Sequence, residues 1–213
     1  TEAVTGVEVL LRWTHNNKAI APDEFIPLAE GSGLMHPIGH WVLTKACQLL
    51  AQFKEQGLGV LTVSVNVSTK QFNSDQFVTN LLELINIHGI NANLLTLEIT
   101  ESAVINFDKS IESLLRLREA GIHISLDDFG TGYSSLSYLK RLPIQELKID
   151  RSFIDGLGSE SEDNAITAAI LAMSKQLDLR VVAEGVESDI QLQMLKKLSC
   201  DYVQGFSFSK PLE

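Results

Sequence analysis

Six hydrophobic runs of this 213-residue chain carry a polar or ionisable group near their C-terminal end, on the face opposite the apolar stripe: Asn66, Glu98, Asp127, Lys148, Glu184 and Gln204. Alternation through residues 6–13 places Val7, Val9 and Leu11 on one face and Glu8, Leu10 and Arg12 on the other, so Glu8 joins the set. Burying one carboxylate is costly and several aimed at one another repel, which makes cations among them the natural resolution. The donors Glu8, Glu98, Asp127, Asp128 and Glu184, with the amide oxygen of Asn66, are hard oxygens and suit Mg²⁺ or Mn²⁺ better than zinc. Adjacent Asp127 and Asp128 could bridge two ions. Two such ions about 4 Å apart activate water and stabilise oxyanion charge in phosphoester hydrolysis. Lys148 would then orient or help deprotonate the water, or stabilise transition-state charge, and the planar fork of Arg12 would grip a phosphate. A lone Glu at a strand end is more often a solvated residue or a helix cap, and Lys148 alone could form a plain ion pair with Asp150 or a nearby acid. Matching groups on so many runs are what capping does not explain.

The elements that must position these groups alternate. Strand-type runs occupy residues 7–11, 61–67, 95–100, 122–127, 146–149, 180–183 and 201–206. Between most of them lie helical patterns at 36–56, 77–87, 110–119, 164–177 and 188–198, with Gly89 and Gly121 where C-terminal caps belong and Ser188 as an N-cap. Residues 25–29 and 38–43 read as core packing of the first helices. Strand and helix alternation implies an α/β fold with a parallel sheet. A doubly wound sheet would carry a Gly-rich phosphate turn after its first strand, which residues 11–15 are not, whereas a barrel draws polar groups from many strand ends. The barrel is favoured, with seven strands visible. Residues 127–136 leave a strand with two glycines, three hydroxyls and a tyrosine, and read as a loop able to sense bound metal and substrate. Their Asp128, Phe129 and Gly130 also resemble a kinase motif, but no Gly-rich nucleotide loop or His-Arg-Asp loop accompanies them.

Composition narrows the classes. Seventeen basic against twenty-seven acidic residues give a net charge of −10, which argues against broad binding to DNA, RNA or anionic membrane. The two cysteines, Cys47 and Cys200, lack CxxC spacing and read as reduced core thiols in a cytoplasmic protein. The five histidines are scattered without ligand spacing. Neither a transmembrane stretch nor a signal peptide is visible. Opening at Thr1 without methionine, residues 1–213 read as one domain cut from a longer protein.

At this point the motifs are recognisable together. Glu8, Val9 and Leu10 followed by Leu11, Arg12 and Trp13, residues 25–30, Asn66 to Ser68, Glu98 to Glu101, residues 127–136, Leu147 to Asp150, Ala183 to Glu187 and Gln204 to Phe206 resemble the EAL-domain family of cyclic di-GMP phosphodiesterases over the whole chain. The resemblance implies a modified TIM-type (β/α)8 barrel whose antiparallel first strand precedes the signature; residues for that strand are missing here. It implies hydrolysis of cyclic di-GMP to linear pGpG with two Mg²⁺ or Mn²⁺ ions. By motif, Glu8, Asn66, Glu98 and Asp127 match ligands of one ion, and Asp127, Asp128 and Glu184 those of the other. Lys148 matches the residue that helps activate water, Glu101 the anchor of the loop after Asp128, and Glu187 and Gln204 supporting positions. Arg12 and Asp150, with Leu10 and Gln204, match positions that face the substrate. A homodimer, and regulatory or cyclase-like domains in the full-length protein, are further implications, as is a cyclic di-GMP receptor in members that have lost activity. The departure is Val9 for alanine, on the face turned to the helices, where extra methyls affect packing more than ligation.

Overall fold

The computed structural model describes the chain except residues 1–2, 105–106, 131–138, 159–161 and 213. It divides into two compact units, Thr1–His123 and Ile124–Glu213.

The first unit is built on three parallel strands, β1 (Gly6–Val9), β4 (Thr62–Val67) and β5 (Leu95–Thr100). Between β1 and β4 lie a hairpin, β2 (Trp13–His15) and β3 (Lys18–Ile20), and helices α1 (Pro22–Ser32) and α2 (Met35–Glu55). A short α3 (Thr69–Phe72) and α4 (Phe77–His88) connect β4 to β5, and α5 (Phe107–Glu119) follows. The core forms because alternate β4 residues Val63, Val65 and Val67 face α2, which supplies Leu43, Ala46, Cys47 and Leu50 at helical spacing. The hairpin was not read from the sequence although its signal was there. Asn16 and Asn17 both adopt positive φ, the conformation of a two-residue turn that matches strand twist. The strand expected at 7–11 pairs only to Val9, so face assignments by alternation stop there.

In the second unit β6 (His123–Phe129, starting at the boundary), β7 (Glu146–Ile149), β8 (Arg180–Ala183) and β9 (Tyr202–Val203) pair in parallel order. Helices α6 (Arg151–Asp155), α7 (Asp163–Gln176) and α8 (Asp189–Lys197) connect them. α8 starts with a capping box in which the Ser188 hydroxyl accepts the Gln191 N–H and the Gln191 carboxamide oxygen accepts the Ser188 N–H, so its first turn is satisfied locally. β9 is shorter than the 201–206 expected, because the chain turns after Gln204 donates to the Ala183 carbonyl. Gly89 and Gly121 take positive φ at their helix ends, as their type at those places predicts.

Both cysteines are free thiols. Burial pushes each up to about 11, so neither forms thiolate near neutral pH. Among the described residues no helix is long and apolar enough to cross a membrane.

Candidate active site

The first unit brings three of the expected groups to neighbouring strands. Asn66 on β4 stands directly opposite Glu98 on β5, and Glu8 on β1 stands opposite Ser64, two residues before Asn66 on the same face. The Asn66 amide donates to Glu8 Oε1 at 2.6 Å. Carboxamide arms interchange by rotation, so the same side chain can offer Oδ1 to a cation beside Glu8. Glu98 is 3% exposed, a carboxylate in the middle of a strand flanked by Leu97 and Ile99. Glu101 opens the short turn after β5 and is half-buried. The loop it was expected to anchor, residues 127–136, lies outside the described residues from 131 onward.

In the second unit Lys148 is 2% exposed, and its Nζ lies 2.6 Å from Glu184 Oε1 and 3.4 Å from Asp127 Oδ1. Two neighbouring strands thus deliver carboxylates to one ammonium. The exposed Asp128 shares the same position along the strand pair through a bulge. Leu126 pairs with Leu147 and Phe129 with Ile149, so both Asp127 and Asp128 oppose the single residue Lys148. Strict alternation would have sent the two aspartates to opposite faces. Asp128 takes φ +54°, and its N–H bonds to Asp127 Oδ1 at 3.0 Å. Asp is one of the few side chains that tolerate this left-handed conformation, at a cost of about 1 kcal/mol. Asp128→Gly is therefore expected to change stability by less than about 1 kcal/mol while lowering turnover about a hundredfold or more; urea melts and steady-state assays on one preparation check both.

Other expected residues are placed less centrally. Leu10 and Arg12 lie beyond the end of β1 and are exposed. Arg12 donates to the Leu11 carbonyl and lines an open, mainly apolar groove of about 600 Å³ with Trp13, Phe25 and Trp41. That removes alternation as a reason for pairing it with Glu8. Asp150 is the N-cap of α6, accepting from the Ser152 N–H at 3.1 Å. Glu187 pairs with Arg151, which also holds Asp155. Gln204 is exposed.

Sequence reasoning missed the layer beneath Lys148. Glu146, two residues earlier on β7 and so on the same face, is buried and lies 3.7 Å from Arg180 across the strand pair. The signal was present, since an acid and a base open two strands that pair in register. Burial raises the Glu146 carboxyl above its ordinary value, opposed by the Arg180 and Lys148 charges. With its folded value raised, the group costs nothing at acid pH, where both states are protonated. Stability is then lost as pH rises from the unfolded value to the folded one. Glu146→Gln is expected to abolish this loss and to be the more stable protein at neutral pH, read from urea midpoints across about pH 4 to 7.

Among the described residues, no three or more His, Cys, Asp and Glu side chains come together closely enough to enclose an ion. The donors themselves, carboxylates with one carboxamide, fit a hard divalent cation. Asp127 and Glu184 would hold such an ion with oxygens that Lys148 Nζ now contacts.

The EAL domain family model matches residues 1–211, and the chain belongs to that family. It is 45% identical over 209 residues to the bifunctional diguanylate cyclase/cyclic di-GMP phosphodiesterase MucR of Pseudomonas aeruginosa, covering 97% of this chain and 30% of that protein. It is 44% identical over 211 residues to the cyclic di-GMP phosphodiesterase NbdA of the same organism, covering 98% of this chain and 27% of that one. The chain thus spans less than a third of these relatives. Among solved structures, the PaMucR phosphodiesterase in complex with c-di-GMP matches with a TM-score of 0.93 and 44% identity, over 98% of this chain and 85% of that one. The α/β, TIM-like fold class expected from the alternation of elements is thereby borne out.

Proposed function

We propose that this chain hydrolyses cyclic di-GMP to linear pGpG with two Mg²⁺ or Mn²⁺ ions, for which Glu8, Asn66, Glu98, Asp127, Asp128 and Glu184 are the candidate ligands. The observation that carries the reading is the Asp127, Lys148 and Glu184 arrangement, with the bulge that turns Asp128 towards the same strand position. The named activities of MucR and NbdA, and the c-di-GMP bound to the PaMucR structure, support the substrate.

When bound, the ions supply a water of lowered pKa and Lewis-acid stabilisation of the phosphate oxygens. Lys148, locked between two carboxylates, orients the attacking water and stabilises charge at the reacting phosphate. The water oxygen bonds to phosphorus, the ester bond to the 3′-oxygen breaks, and that oxygen leaves with a proton. Arg12 offers a guanidinium to a substrate phosphate, Asp150 holds a guanine edge, and Leu10 and Gln204 face the substrate. Chromatography of cyclic di-GMP incubated with the protein and Mg²⁺ or Mn²⁺ is the test, with pGpG the expected product. Ca²⁺ should suppress turnover because its larger, looser coordination holds water and phosphate less well. Tight binding with no linear product under either ion would replace the enzyme by a cyclic di-GMP receptor.

A further inference from the structure

The first turns of α2 carry two histidines that the reading above leaves unused. His36 and His40 are one helical turn apart and exposed, and they line a pocket of about 70 Å³ with Gln71, Ser74 and Asn80. Gln71, on α3, is the informative member. It is 5% exposed, and its carboxamide rests on Gly39, where a Cβ would overlap it. The carboxamide makes no hydrogen bond among the described residues, and its polar atoms open to solvent at the pocket, where a ligand can reach them. Asn80 lies on α4, and α2 packs against both α3 and α4.

We propose that His36 and His40, with the carboxamide oxygens of Gln71 and Asn80, form a site for one borderline transition-metal dication such as Ni²⁺, Co²⁺ or Zn²⁺. Residues four apart on a helix have Cβ atoms about 5–6 Å apart, and helix-borne histidines at that spacing chelate a single ion. Two imidazole nitrogens with two neutral oxygens suit these ions, whereas Mg²⁺ and Ca²⁺ require a shell of oxygens. The location sharpens that choice. His36 is the second residue of α2, where the helix dipole is unfavourable to cations, so only ions that bond strongly to imidazole are retained. The site carries no carboxylate, and it differs in chemistry from the acid-rich residues assigned to Mg²⁺ or Mn²⁺. An ion there would tie α2 to α3 and α4 and stabilise the fold by mass action.

The test is calorimetric titration of untagged protein with Ni²⁺ in excess Mg²⁺, beside the His36→Ala/His40→Ala double variant. Both histidines are exposed, so the variant keeps its fold, checked by its melting temperature without added Ni²⁺. Wild type is expected to bind at least about tenfold more tightly than the double variant and to melt at a higher temperature once Ni²⁺ is added. Equal binding by the two proteins overturns the proposal. Neither result bears on cyclic di-GMP turnover, which depends on other residues.

Discussion

Lys148→Met is expected to lower cyclic di-GMP turnover by at least about a thousandfold while the chain still folds. Methionine keeps the unbranched stem and its apolar contacts but deletes the ammonium. In the wild type that ammonium is buried and compensates Asp127 and Glu184 at once. Without it two carboxylates from either side of β7 are left uncompensated, a local cost of about 1–3 kcal/mol once the partial exposure of Glu184 is allowed for. The stability loss should be largest in chelator and should shrink when Mg²⁺ or Mn²⁺ is added, because a dication replaces the missing charge. Lys148→Arg separates charge from geometry: it restores the compensation, but its rigid fork cannot occupy the place of a single Nζ. Its stability should recover and its turnover should not. Turnover of Lys148→Met within tenfold of wild type would sink the role assigned to this residue.

The second large effect belongs to a residue with no chemistry of its own. Gly205→Ala is expected to destabilise the chain by at least about 3 kcal/mol. A Cβ at 205 would fall on the backbone N, C and O of Val186, which cannot swing away as a side chain can. The two segments are stitched together there: Val186 N–H donates to the Gln204 carbonyl, Gln204 N–H to Ala183, and Ser207 N–H to Val186. Relief would require the stretch from Ala183 to Val186 to shift, and Glu184 with it. The Glu184 to Lys148 contact at 2.6 Å depends on that stretch, so turnover should fall even at temperatures where the variant is folded. Urea denaturation with a parallel assay at low temperature distinguishes the two losses. A variant with wild-type midpoint would show that this close approach is not a constraint.

Much of this was legible residue by residue. Leu95–Thr100, Glu146–Ile149 and Arg180–Ala183 coincide with the apolar runs because successive strand side chains take opposite faces, so each run has a two-residue period. Lys148 and Glu184 could be placed together because each sits near the end of such a run. Arg12 could not be placed so: alternation was extended past Val9, where pairing to β4 had already stopped. The Glu146 and Arg180 pair was overlooked because attention to strand ends leaves out strand beginnings.

What the sequence determined by itself is therefore the set of donors, their hardness, the face that Glu8, Asn66, Glu98 and Lys148 take within their strands, and the family to which those motifs belong. These follow from residue type and a two-residue period, both local. The tertiary structure decided what depends on a neighbour: that Asp127 and Asp128 both stand against Lys148, that one ammonium answers two carboxylates, and that Gly205 must be glycine. A bulge exists only relative to the strand beside it, and an ion pair only once register brings its members within reach, so neither is written in a single run of residues.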